Sequence, residues 1–277
     1  MIVADVHTHT YYGHGKNSVY EMFSAGRTKG LHLQGFSEHS PRPAGYDYPV
    51  EYRKHLEANY DRYIAEVRHL QSETTPRAGG VSVLLGVELD WIEGQTEFMK
   101  AVLAAHDYDY VIGGIHFLGN WGFDWSADDW VKLSVEDKED LYVRYYRTML
   151  SMVNSRMFNI VAHPDLIKLF SRMDFDNWLE KPGRRDVVCL ALSALREAGM
   201  AMEISSAGLR KPCREIYPGP IIMSLAAELH VPISFGSDGH CVETLAANFD
   251  TLADYAAGFG YTEHLVFNRG DILRFAF

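Results

Sequence analysis

At 277 residues, 47% hydrophobic and 23% charged, the chain has the composition of a folded globular protein and the length of one large domain, expected over residues 1–277. Its net charge of −11 argues against a nucleic-acid surface, because no basic stripe is available to neutralise phosphates; a small phosphate ester needs only one or two local cations. The opening MIVADVHTHT is no signal peptide, no run approaches the ~18 apolar residues of a membrane span, and Cys189, Cys213 and Cys241 are too few and too scattered for a disulfide framework, so a cytoplasmic protein is expected.

Short apolar strands are predicted at Ile2–Val6, Leu33–Ser37, Val83–Val87, Val111–Ile115, Asn159–Ala162, Ala201–Ser205 and Pro232–Gly236. Helical patterns fall between them at Tyr52–Gln71, Thr96–Ala105, Lys138–Asn154, Arg185–Ala198 and Gly219–Leu229. Strands rich in aliphatic residues suit a sheet buried on both faces, and β alternating with α implies parallel strands. Seven units suggest a barrel. Two stretches break the alternation, Leu118–Trp130 and Ser171–Arg185, and are expected as loops above the barrel mouth.

The chemistry collects at strand ends. His7, His9, His14, His39, Glu88, His116, His163, Asp238 and His240 lie at or just after these apolar runs. In a (β/α) barrel that is the face where active sites are built. Imidazole and carboxylate are ligands for Zn, Mn and Fe, and nine such groups suit two or three divalent ions better than one. Any one of these histidines alone could be a core or loop residue; their joint position makes that reading improbable. His7 and His9 are two apart, as are Asp238 and His240, so each pair faces one side of an extended segment. In Ala162-His-Pro-Asp165 the carboxylate is placed to orient His163. Cys241, beside His240, is expected to be a buried, inert thiol.

Contacts for a substrate are sought in the loops. Arg210 and Lys211, in a Gly-containing loop after the sixth strand, are candidates to grip a phosphate. Lys168, after the His163 strand, is the alternative clamp. Trp121, Phe123, Asp124 and Trp125, in the stretch that ends at Trp130, read as part of a pocket or lid, with a satellite hydrophobic cluster under a long loop as the alternative.

Taken together, the motifs resemble the PHP (polymerase and histidinol phosphatase) family. They are His7-Thr-His9, His39, Glu88, His116, His163-Pro and Gly236-Ser-Asp-Gly-His240. More narrowly, Phe36-Ser-Glu-His-Ser-Pro41, the run from His116 to Asp124, Ala207-Gly-Leu-Arg-Lys-Pro212 and Tyr217-Pro218 are similar to the histidinol-phosphate phosphatases of that family. The resemblance implies a distorted (β/α)7 TIM-like barrel with a trinuclear site. It implies one metal on His7, His9, Glu88 and Asp238, a second on Glu88, His116 and His163, and a third on His14, His39 and His240. Gly239 stands where the family usually has Ala.

The implied reaction is metal-dependent hydrolysis of L-histidinol phosphate, a step of histidine biosynthesis. Metals would activate water and neutralise phosphoryl charge, with Glu88, Asp238 and His240 as candidate catalytic residues. Two alternatives stay open: a phosphoesterase acting on nucleotides or other small esters, and a non-catalytic metal-binding regulatory module.

Overall fold

In the computed structural model, which describes residues 1–74 and 80–277, the chain begins β1 (Ala4–Asp5), α1 (Val19–Thr28), β2 (Leu33–Phe36), α2 (Val50–Glu73), β3 (Ser82–Asp90), α3 (Thr96–Ala105) and β4 (Tyr110–Gly114). It continues with β5 (Phe117–Leu118), β6 (Trp121–Gly122), α4 (Ala127–Val131), α5 (Val135–Asn154), β7 (Ile160–Val161), α6 (Arg172–Leu179), α7 (Arg184–Glu197) and β8 (Ala201–Ser205). It ends with α8 (Pro220–Glu228), β9 (Ile233–Gly236), α9 (Phe249–Gly258), β10 (Glu263–Asn268) and β11 (Asp271–Ala276). No helix among the described residues is long and apolar enough to cross a membrane.

Seven parallel strands pair in the order β1-β2-β3-β4-β7-β8-β9, each at a position where the sequence places a strand. The sheet then curls back on itself. Val6 N donates to Phe235 O at 3.4 Å, His9 N to Gly239 O at 2.9 Å and Gly239 N to His7 O at 3.3 Å. These bonds draw β9 to β1 and give a nearly closed, distorted (β/α)7 barrel.

Local chemistry explains the helices. α1 and α5 open on capping boxes, Ser18 with Glu21 and Ser134 with Asp137, each pairing two backbone N–H groups that helix geometry leaves free. α8 starts with Pro220, whose missing N–H costs nothing there. α2 buries Leu56, Tyr60, Tyr63, Ile64, Val67 and Leu70, the three-to-four spacing of an amphipathic face.

The expected loop 171–185 contains α6 instead. Asp174, Asp176 and Asn177 weaken its helical signal, but Phe175, Trp178 and Leu179 bury one face. Trp178 stacks on Tyr146 of α5, with ring centroids 6.2 Å apart. The other stretch, 118–130, forms the β5–β6 hairpin and α4.

The barrel interior is filled by Val6, Leu33, Leu84, Ile112, Ile160 and, above all, Tyr110. Tyr110 reaches across to donate to Val6 O at 2.5 Å. Glycines make room for its ring: a Cβ at Gly35 would lie 2.2 Å from Tyr110 Oη, and one at Gly86 2.3 Å from its Cζ. The β10–β11 hairpin seals the N-terminal end, packing Leu265, Val266 and Phe267 against the same cluster. Asp109 anchors it, accepting from Arg269 Nε at 2.7 Å and Gln71 Nε2 at 2.6 Å.

Candidate metal centre

Six of the seven barrel strands deliver ligand candidates to the opposite end; β8 delivers none. β1 leads into His7 and His9, β2 into His39, β4 into His116, β7 into His163, and β9 into Asp238 and His240. Glu88 lies within β3, and His14 hangs from the loop after β1. His163 and Asp238 both take left-handed backbone (φ 26° and 48°), a conformation unusual for side-chain-bearing residues and typical of constrained sites.

Glu88 sits at the centre. Its Oε1 faces His163 Nε2 at 3.0 Å and His116 Nε2 at 3.5 Å. Its Oε2 faces His7 Nε2 at 3.2 Å, His39 Nδ1 at 3.2 Å and His9 Nε2 at 3.4 Å. The two oxygens of one carboxylate therefore point at two groups of imidazoles. Asp238 Oδ1 stands 3.3 Å from His9 Nε2, and His240 stacks on His9 with centroids 4.3 Å apart. Three sets of donor atoms lie close enough to share an ion: His7 with His9 and Glu88; His39 with Glu88 and His116; and His9 with His39 and His240.

A second layer of acceptors orients the rings. Glu203 Oε1 holds His7 Nδ1 at 2.6 Å, Glu38 holds His9 Nδ1 at 3.1 Å and Asp90 holds His116 Nδ1 at 2.5 Å. His14 Nδ1 meets Tyr52 Oη at 2.9 Å, and His240 Nδ1 meets Asp238 O at 2.9 Å. Five rings are thus fixed through Nδ1, which leaves Nε2 for the centre, the arrangement that metal-ligating histidines adopt. The donor set and its orienting shell fit divalent cations. Asp165 plays no such part for His163. It accepts from Gly219 N and pairs with Lys168, while Glu203 Oε2 accepts His163 N at 2.8 Å.

Charge is finely divided here. Burial opposes ionisation of Glu88, yet His39 and His7 hold its carboxyl well below the usual range. Asp238 is lowered likewise, against burial, by Lys211 and His240. Burial also disfavours charge on His7 and His9, but Glu203 and Glu88 outweigh it for the first, and Asp238 and Glu38 for the second, raising both. His14 and His39 are pushed down, by burial first, and His240 falls to about 4 for the same reason.

A cavity of about 420 Å³ opens above this cluster. Glu88, Asp238 and His240 line it, as do Lys211 and Asp124. Lys211 Nζ lies 3.2 Å from Asp238 Oδ2. Four expected substrate contacts lie elsewhere. Arg210 turns its Nη2 to Ser237 O at 2.7 Å and Asp238 O at 3.3 Å, so it clamps the β9 loop. Lys168 is fully buried between Asp165 and Glu215, each 2.7 Å away. Phe123 is a core residue packed on Tyr145, and Trp121 leans on Phe123 and Trp130 away from the cavity. Cys241 is half-buried rather than buried, with Sγ 3.3 Å from Thr244 Oγ1.

The cavity wall is aromatic: Trp125, from the stretch expected to form a pocket, with Tyr48 and Tyr52, which sequence reasoning missed. Trp125 stacks on Tyr48 (5.0 Å, 18°), and Tyr48 Oη donates to Asp124 Oδ1 at 2.6 Å. The orienting carboxylates were missed too, although two carried a signal. Asp90 is two residues beyond Glu88 on an extended strand and so faces the same side. Glu203 is a lone charge inside a buried strand.

A barrel that gathers imidazoles and carboxylates at its strand ends matches the PHP domain, whose sequence profile covers residues 5–207; the chain belongs to this family. Among its relatives, the probable histidinol-phosphatase of Deinococcus radiodurans is 36% identical over 240 residues, 86% of each chain. The histidinol-phosphatase of Bacillus subtilis is 27% identical over 253 residues, covering 85% of this chain and 92% of that one. The fold is shared with the histidinol phosphate phosphatase of Lactococcus lactis, solved with zinc, L-histidinol and phosphate (TM-score 0.75, 17% identity, 98% of each chain).

Proposed function

We propose that this chain is a metal-dependent phosphomonoesterase that hydrolyses L-histidinol phosphate to L-histidinol and phosphate. The observation that carries the reading is the position of Glu88, with one oxygen toward each of two imidazole groups below a cavity of substrate size. The names of the relatives agree with it.

In this reading His7, His9, Glu88 and Asp238 hold one divalent ion. Glu88 also serves a second with His116 and His163, and His14, His39 and His240 hold a third. When bound, such ions acidify water and neutralise the phosphoryl oxygens. Glu203, Glu38, Asp90 and Tyr52 keep the imidazoles aimed at the centre. Lys211, already at the cavity wall beside Asp238, is the cation that meets the phosphoryl group, a place the sequence reading shares between Arg210 and Lys211. Asp238 and His240 line the cavity, where a carboxylate oxygen and an imidazole nitrogen would accept a proton from the attacking water. Trp125, Tyr48 and Asp124 receive the organic half: stacked rings for the imidazole and a carboxylate for a cation.

Phosphate release from L-histidinol phosphate, AMP, glycerol 2-phosphate and an aryl phosphate, with Mn, Zn or Fe supplied, is the test. L-Histidinol phosphate should exceed AMP by roughly a hundredfold in kcat/KM. A preference for AMP would move the substrate assignment and leave the metal site standing. Lys211→Ala should cost about 2–4 kcal/mol in kcat/KM with metal content unchanged, and wild-type kinetics in this variant would remove Lys211 from the site.

A further inference from the structure

Arg42 lies three residues beyond His39, in the segment between β2 and α2, and is 4% exposed. Its Nε donates to Asp90 Oδ2 at 2.5 Å, while the other oxygen of Asp90 holds His116 Nδ1 at 2.5 Å. Its two terminal nitrogens are buried and hydrogen-bond to nothing among the described residues. Rings surround them instead. The guanidinium carbon is 4.8 Å from the centre of Tyr48, 5.2 Å from Phe117 and 5.5 Å from Tyr52. A buried charge is costly, and one carboxylate with three π faces is what sustains this one.

The contacts run in two directions. Through Asp90 the guanidinium braces His116. Through Tyr52 it touches the ring whose Oη meets His14, and through Tyr48 the ring whose Oη holds Asp124 and whose face stacks on Trp125. One side chain therefore sits between the imidazole cluster and the aromatic wall.

We propose that Arg42 is a positioning residue that sets the Tyr48–Tyr52 wall at its distance from the metal ligands, and thereby selects esters whose alcohol carries a ring. It touches neither the phosphoryl group nor the metal ions. The proposal rests on the phosphatase reading above. A planar guanidinium can lie between rings while Nε bonds a carboxylate; an ammonium cannot do both. A residue that served only packing would affect all substrates alike, whereas a wall-setting residue changes their ratio.

The experiment measures kcat/KM for L-histidinol phosphate and for glycerol 2-phosphate, which has no ring, in wild type, Arg42→Lys and Arg42→Met. The Kd of L-histidinol is measured on the same metal-loaded proteins by calorimetry. Arg42→Lys should lower the ratio of the two specificity constants about tenfold and weaken L-histidinol binding by a similar factor, with metal content unchanged. In a Trp125→Ala background, which already lacks half of the stacked pair, Arg42→Lys should lower the ratio less than twofold further. If Arg42→Met does not fold, Arg42→Lys and the Trp125 background decide the matter. An unchanged ratio, or equal losses on both substrates, overturns the proposal and leaves the phosphatase reading intact. A wild-type protein that releases no phosphate from L-histidinol phosphate overturns both.

Discussion

The two ends of the barrel are closed by opposite means. At the floor, Leu265, Val266 and Phe267 of the hairpin press on Leu33, Tyr110 and Ile112, and fit is set by volume. At the mouth, seven imidazoles and two carboxylates crowd together, two of them on left-handed backbone, and fit is set by charge and by orienting acceptors. The floor has no chemistry to perform and is packed to contact, which is the cheapest arrangement for a barrel end. The mouth keeps groups that repel or desolvate one another, an arrangement retained where function requires it. Substitutions at the two ends should therefore fail differently: the floor through stability, the mouth through metal content and turnover.

The largest expected effect is at the mouth. Glu88→Gln keeps shape but removes the charge shared by two imidazole groups, and should lower kcat/KM by at least about a thousandfold, roughly 4 kcal/mol, along with metal content. The melting temperatures of the metal-free variant and the metal-free wild type should differ little. Full metal content and turnover in this variant would break the comparison.

The next test exploits an exception at the floor. His264 is buried among Phe235, Phe275 and Phe277, with neither ring nitrogen hydrogen-bonded among the described residues, and burial lowers its pKa to about 4. Its folded pKa lies below the unfolded value of about 6.5, so between the two the unfolded chain binds the proton preferentially. Stability should then fall by up to about 3 kcal/mol as pH drops from about 6.5 to about 4. His264→Phe should flatten that part of the profile in urea unfolding, and an equally steep profile in the variant would remove His264 as its source.

Gly86→Ala should have the smallest effect. Its added methyl group meets the Tyr110 ring and should cost about 1–3 kcal/mol of stability with the metal content of the surviving fold unchanged. Loss of metal from a folded Gly86→Ala protein would show that the ends are coupled.

The clustering of imidazoles and carboxylates at the barrel mouth was legible because a period of two and the end of an apolar run place a side chain without any knowledge of distant contacts. The same logic locates seven strands. It fails where position depends on tertiary approach. Arg210 and Lys211 are adjacent, and only the short 3₁₀ turn Ala207–Arg210 decides which faces the cavity. In the loop after β4, Phe123 turns to the core and Trp125 to the cavity, and composition could not choose between them. Tyr48, Tyr52 and Arg42 lie before or at the start of α2, far in sequence from the ligands they support, and carry no periodic signal. α6 was hidden by residues that favour turns, because its stability comes from packing on α5 and α7 rather than from propensity.

The seam between β1 and β9 carries a consequence for how the molecule comes together. His7 and His9 stand on one side of it and Asp238 and His240 on the other, while Asp5 receives Ser237 N across a separation of 232 residues. The donors that would share an ion are thus the last to become neighbours on any route in which local contacts form first. A growing chain can offer scattered histidines to metal but not this cluster. An ion held across the seam would fasten the two ends of the sheet as a clasp fastens a ring.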